Sequence, residues 1–314
     1  MKPMIFDGVI LVDKPEGWTS FKTDGAIKKL TGSRKAGHLG TLDPFATGLL
    51  PVFCGKGLKY LRFCEGFDKE YSCRAFFGAA TDSGDCTGEI ISENYPSEEE
   101  MDQLVSTDFK KVREAFSEIA NRTEQKPPSY SAKKIGGVKA YDLARKGEEV
   151  DLPPAKIKIY SLVIDKIETL EKGFAVEFTC KCSKGTYIRT ICTDCGELLG
   201  YGAYAETLRR TQTGPFRIED AYTPDRLFEM AENGDISFLI DSSAAISDMP
   251  EVSLDARQAK DLGFGRKIAF EGADVSDERT YYRAVFEGKT IAVVYPANED
   301  GKMVMRIERL FAND

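Results

Sequence analysis

The chain has very little of several things that mark common function classes. Its 314 residues contain one histidine, His38, and one tryptophan, Trp18. A lone imidazole cannot build a histidine-based metal site. Ser-His-Asp chemistry would need His38 as its base, and no nucleophile-elbow signature accompanies it. No apolar run approaches the ~18 residues of a spanning helix. Met1–Asp7 lacks the apolar region of a signal peptide, so a cytoplasmic location is expected. No glycine-rich first turn opens a βαβ unit, which weakens a doubly wound nucleotide-binding fold. Eight cysteines are too dilute for a disulfide scaffold and read as buried thiols. There is no cationic excess either. The 43 basic and 51 acidic residues give a net charge of -8, which taken alone disfavours a nucleic-acid partner.

What is present changes that reading. The acid is concentrated in two stretches, residues 82–110 with a net of -8 and residues 219–255 with a net of -9. Residues 1–60 and 125–160 each carry +4, and 181–217 carries +3. A polyanion responds to local fields, screened over about 10 Å.

The length suits two domains. Asp241–Ala245 and Met249-Pro250 carry connection chemistry, which places a boundary near 245–250. The expected arrangement is a domain over 1–245 with an insertion near 125–152, then a small, mostly β domain over 250–314. Strands are expected over Gly8–Val12, Leu49–Phe53, Glu70–Phe77, Ile157–Lys166, Gly173–Cys182, Thr290–Tyr295 and Met303–Leu310. Helices are expected over Ser20–Leu30, Glu98–Ile119, Ala140–Arg145, Tyr187–Leu199 and Asp255–Leu262. The first domain is therefore α+β, on a largely antiparallel mixed sheet.

Candidate chemistry falls in a few segments. Gly37-His38-Leu39-Gly40-Thr41-Leu42-Asp43-Pro44 continues through Gly48 as a shaped loop feeding an apolar strand. Three roles are open to Asp43 from chemistry alone: nucleophile, base or Asx-type turn former. Arg189 falls in the first turn of an expected helix capped by Thr186. A cation there is disfavoured by the helix dipole unless an anion offsets it, and Asp43 is a candidate partner. Gln125–Tyr141 interleaves Lys133 and other lysines with Tyr130 and Tyr141, a composition suited to phosphate contact and base stacking. Leu208–Arg217 reads as a basic helical element ending in a turn. Its adjacent arginines point different ways, one to phosphate and one to an internal partner. Cys180-x-Cys182 and Cys192-x-x-Cys195 offer four thiols, but their spacing fits one strand face and one helix face. They are read as structural, with no metal expected.

Together these segments resemble the TruB-type family of bacterial tRNA pseudouridine-55 synthases. Leu11–Ser20, Gly37–Gly48, Gln125–Arg145, and Cys182–Arg189 with Leu208–Phe216 carry the match, in the family's order. The resemblance implies a catalytic aspartate at Asp43, an active-site tyrosine at Tyr71 and a partnering arginine at Arg189. It implies an apolar pocket wall at Leu208, an RNA-approaching histidine at His38, and fold support from Lys14 and Pro15. Gly40, Thr41, Leu42, Tyr130, Lys133, Tyr141, Lys184 and Tyr187 would then contact substrate. Leu39 departs from a commoner threonine. The tail resembles a compact PUA-type RNA-binding domain.

The implied reaction isomerises uridine 55 in the tRNA T-arm to its carbon-linked form. It requires no cofactor, nucleotide or metal, and the implied partner is tRNA alone, with a monomeric protein and no membrane. Two competing readings are a guide-RNA-dependent relative and a non-catalytic tRNA-binding or folding protein. The Pro127–Tyr141 insertion opposes the first, and the intact Asp43, Tyr71 and Arg189 oppose the second.

Overall fold

The computed structural model describes residues 6–131, 133–135, 138–139, 152–269, 280–299 and 301–311. Its main element is a nine-stranded sheet formed by β1 (Gly8–Lys14), β2 (Ala36–His38), β3 (Thr47–Cys54), β4 (Lys69–Phe77), β5 (Ile159–Thr169), β6 (Phe174–Cys182), β7 (Ala203–Thr213), β8 (Phe216–Arg217) and β9 (Leu239–Ile240). The order across the sheet is β5-β6-β4-β7-β3-β1-β9, with β8 on β7 and β2 on β3. Every pairing is antiparallel except β7 with β3. This is the mixed, largely antiparallel α+β architecture that the sequence pattern implies.

Period-two alternation decides what each strand faces. On β1 and β3, Ile10, Val12, Leu50 and Val52 enter the principal core. Val9, Leu11, Leu49 and Phe53 enter a second cluster on the opposite face. Burial on both faces explains why these strands read as continuous apolar runs. On β4, Lys69, Tyr71, Cys73, Ala75 and Phe77 all point inward. That phase puts two polar residues at one end of an otherwise apolar row, where the cleft opens.

The helices are α1 (Ser20–Thr31), α2 (Leu58–Cys64), α3 (Glu98–Ser106), α4 (Lys110–Ala120), α5 (Ile188–Leu199), α6 (Pro224–Glu232) and α7 (Ala256–Gly263). Phe116 of α4 packs edge-on against Phe178, and Phe77 stacks on Phe174, closing the core beside α5.

Three expectations need correction. The single helix over Glu98–Ile119 is two helices, broken where Asp108 and Phe109 take φ of +50° and +53°. The break lets Phe109 reach the same core as Leu104 and Val112. The basic element at Leu208 belongs to a strand, β7, so Arg209 and Arg210 point to opposite faces of a sheet. Thr186 does not cap α5. Tyr187 is the cap residue, and Gln125 serves it instead, accepting from its N–H at 2.8 Å and donating to its carbonyl at 3.0 Å. The expected helix at Ala140–Arg145 lies outside the described residues.

The parallel contact of β7 with β3 brings the Asp43 loop over the site. Gly48 pairs with Arg210 at φ +98°, and a Cβ there would lie 2.4 Å from the Arg210 carbonyl oxygen. Gly48→Ala is therefore expected to destabilise the protein by about 2–3 kcal/mol, from strained backbone and a blocked approach. Urea denaturation measures this, and a change below about 0.5 kcal/mol would contradict the close contact.

Among the described residues, Glu251–Ser253, Ile268–Ala269, Tyr282–Phe286, Lys289–Glu299 and Lys302–Leu310 form a second, five-stranded sheet around Leu254, Leu262, Ala284, Val294 and Met305. Tyr60 stacks on Phe311 at 3.8 Å between ring centroids, joining that sheet's last strand to α2. Leu39 is buried in the second apolar cluster. Cys180, Cys182, Cys192 and Cys195 are fully buried in the principal core, with Cys73 Sγ 3.8 Å from Cys192 Sγ. Among the described residues, no helix is long and apolar enough to cross a membrane.

Candidate active site

The Gly40–Pro44 loop is fixed from three sides. Ser20 Oγ donates to the Leu42 carbonyl at 3.0 Å and accepts from its N–H at 2.9 Å. The fully buried Lys14 donates to the carbonyls of Pro15, Trp18 and Pro44. Arg210, also fully buried, donates to the carbonyls of Leu49 and Gly40 at 2.8 and 3.0 Å. These bonds satisfy a loop that makes few ladder contacts of its own, and they hold Asp43 in one place.

Asp43 meets Arg189 as the helix-dipole argument anticipates, with Nε 3.0 Å from Oδ2. Arg189 is only 4% exposed. It also lies 3.5 Å from Asp85 and donates to the carbonyls of Ser83 and Tyr130, both at 2.7 Å. All three guanidinium nitrogens are thereby engaged, which restrains its position.

The electrostatic balance at Asp43 differs from a simple ion pair. The carboxylate opens to the cleft on one side but is otherwise walled by protein. Burial pushes its carboxyl above the ordinary range, and Arg189 opposes that rise without cancelling it, while Asp85 adds to it. Arg189 therefore limits the cost of ionising Asp43 and aims it.

The cleft in front of Asp43 has a volume of about 300 Å³ and is lined by Gly40, Thr41, Leu42, Tyr71, Lys184, Tyr187, Leu208 and Arg189. That is the lower end of small-ligand pockets, suited to one flat ring. Tyr71 and Leu208 come from neighbouring strands β4 and β7 on the same face. Burial raises the Tyr71 phenol, and its contact with Arg210 opposes the rise.

A second groove of about 680 Å³ lies on the other side of Asp43 and Arg189, between Phe21 and Tyr130. Asp82, Asp85 and Glu89 line it, and Tyr130 donates to Asp82 at 3.1 Å. His38 sits beside Phe21, with Nδ1 2.8 Å from Asp24 and Nε2 3.2 Å from Thr41. Lys133 is half-buried and does not line the small cleft, and Tyr141 lies outside the described residues.

The structure adds residues that the sequence reading missed. Lys69 and Arg210 line the cleft, and Asp85 holds Arg189. Lys69 shares strand phase with Tyr71, so period-two counting from Tyr71 would have found it. Asp85 lies in a stretch whose net acid count reads as solvated surface, and local pattern gives no hint of it. Arg209 takes the other face of β7, pairing with Asp13 at 2.8 Å.

The model of the TruB family pseudouridylate synthase N-terminal domain matches residues 28–188, and that of the tRNA pseudouridylate synthase B C-terminal domain matches residues 189–241. The tRNA pseudouridine synthase B of Geobacter sulfurreducens is 39% identical over 255 residues, 81% of this chain and 80% of the relative. The protein of that name from Geotalea uraniireducens is 36% identical over 317 residues, 98% of each chain. Among solved structures, a Cbf5-Nop10-Gar1 complex aligns with a TM-score of 0.69 at 24% identity, covering 97% of this chain and 84% of the other. At that identity the likeness concerns the fold.

Proposed function

The chain belongs to the TruB family of pseudouridylate synthases, and from that premise we propose that it converts uridine 55 in the T-arm of tRNA to pseudouridine. The observation that carries the reading is the Asp43–Arg189 contact at the mouth of a cleft sized for one ring and walled by Tyr71 and Leu208.

The target base is extruded from its RNA loop, at a cost of a few kcal/mol, to enter that cleft. Asp43 is the essential group. Chemistry leaves three routes for it: attack on the ring, attack on C1′, or removal of the C2′ proton. In each, the C1′–N1 bond breaks, the ring turns, C1′ bonds to C5, the C5 proton leaves and N1 gains one. Arg189 positions the carboxylate. Leu208 keeps the pocket dry, which strengthens the local electrostatics.

Tyr71 stacks on the detached base. It is neutral at physiological pH, so it first passes its own proton toward N1; the neighbouring Arg210 stabilises the phenolate so formed, which then takes the C5 proton, directly or through water. Tyr71→Phe keeps the ring and loses that route. It is expected to slow single-turnover product formation by about 100-fold, with tRNA affinity changed less than about threefold. Loss of affinity with an unchanged rate would contradict the assignment.

Lys184, Tyr187, Thr41 and His38 are read as RNA contacts around the cleft mouth, together with Tyr130, Lys133 and Tyr141 from the insertion. Residues 250–314 are read as a PUA-like RNA-binding domain. Binding should weaken as salt rises. Neither a metal nor a protein partner has a role in this scheme. The test is incubation with an unmodified tRNA transcript and carbodiimide mapping of pseudouridine. Modification at position 55 without guide RNA supports the reading. Its absence, or a requirement for guide RNA, overturns it.

A further inference from the structure

We propose that Lys69 and Arg210 form a cationic floor of the cleft that holds the negative charge the uracil ring acquires when it leaves ribose. The inference rests on the isomerase reading above and assigns these two side chains a part in it.

The observation is an imbalance of partners. On the loop and α5 side of the cleft, Arg189 meets two carboxylates, Asp43 and Asp85, and Lys14 also faces Asp43. On the sheet side two cations stand together. A Cβ on Gly40 would lie 3.3 Å from Arg210 Nη1 and 3.5 Å from Lys69 Cε, so both side chains converge behind that glycine. Arg210 is fully buried, and its partners among the described residues are the carbonyls of Leu39, Gly40 and Leu49 and the Tyr71 hydroxyl. Lys69 is 8% exposed and donates to the Phe67 carbonyl. Among the described residues neither is ion-paired to a carboxylate. Two neighbouring buried cations without anions are costly, and an anionic ligand relieves that cost.

Bond breaking supplies such a ligand. When C1′–N1 cleaves, the bonding pair stays with the ring and spreads over N1, O2 and O4. On the two routes in which Asp43 acts on the sugar, the electron demand at C1′ is met by Asp43, through a bond or through removal of the C2′ proton. When C5 bonds to C1′, the ring gives the pair back, C5 loses its proton and N1 takes one up. The floor gains energy only while the pair is on the ring, which is the condition for lowering a barrier.

Burial, with Arg210 beside it, pushes the Lys69 ammonium down to about 8. Cys182, Asp68 and Lys184 also face it, and Glu65 stands at the exposed rim of the same cleft. The cation is complete below that pH and is lost above it, so the rate falls on the alkaline side.

Single-turnover modification of a tRNA transcript tests this with wild type, Lys69→Met and Lys69→Arg across pH. Lys69→Met should lose about 30-fold or more in rate, with tRNA affinity within about threefold of wild type. Its melting temperature should not fall, because a buried unpaired charge has been removed. Lys69→Arg should abolish the alkaline fall near pH 8. An undiminished Lys69→Met rate overturns the inference alone, as does an unchanged alkaline limb in Lys69→Arg. Weaker binding with a shallower salt dependence and an intact rate would make Lys69 a phosphate contact and also overturn it. A melting temperature that drops with the rate would assign a structural role instead. No product from wild type would overturn the underlying isomerase reading as well.

Discussion

Replacing Asp43 with alanine is expected to lower pseudouridine formation by about 10⁴-fold or more, because no other side chain in the cleft can take over its role. tRNA binding should stay within about threefold, since RNA contact is spread over many residues outside the carboxylate. Stability should not suffer. The folded carboxyl lies above its unfolded value, so the fold binds more protons than the unfolded chain between the two values. Stability then falls as pH rises through that window, and the ionised form carries a penalty at neutral pH. Asp43→Asn removes the penalty and should melt no lower than wild type. Filter binding, single-turnover kinetics and calorimetry separate these effects. A variant that binds, folds and still makes product at the wild-type rate would remove Asp43 from the mechanism.

Arg189→Met is expected to do two kinds of damage. The rate should fall about 10²–10³-fold, the scale of losing one preorganised electrostatic group. The protein should also lose about 3–5 kcal/mol of stability. Asp85, 5% exposed, would keep a charge without its partner, and the carbonyls of Ser83 and Tyr130 would lose their donor. The pH dependence has a definite sign. Arg189 opposes the rise at Asp43, so its removal moves the acid limb of the rate profile to higher pH. A mildly slower enzyme with an unshifted acid limb would mean that Arg189 does not govern Asp43.

Parts of this site are legible in the sequence because local rules constrain them. A cation in the first turn of a helix calls for an anion, which links Arg189 to Asp43 across the chain. The alternation of β4 gives Tyr71 its inward face. Other parts depend on facts no local pattern carries. Arg210 follows the same rule as Tyr71, but Leu208–Arg217 has helix-like spacing of basic residues and its strand character comes from pairing with β4. Asp85 faces inward because a bridge with Ala205 pulls its turn against the sheet. The α3–α4 break is set by Phe109 reaching the core, a tertiary demand that overrides helix propensity.

The most direct test is the structure of the protein bound to a T-arm stem-loop carrying 5-fluorouridine at position 55, whose C5 has no removable proton. The account predicts the fluorinated ring between Tyr71 and Leu208, with its ribose within about 3.5 Å of Asp43. A ring lodged in the larger groove beside Phe21 and Asp82, or on another face, would contradict it.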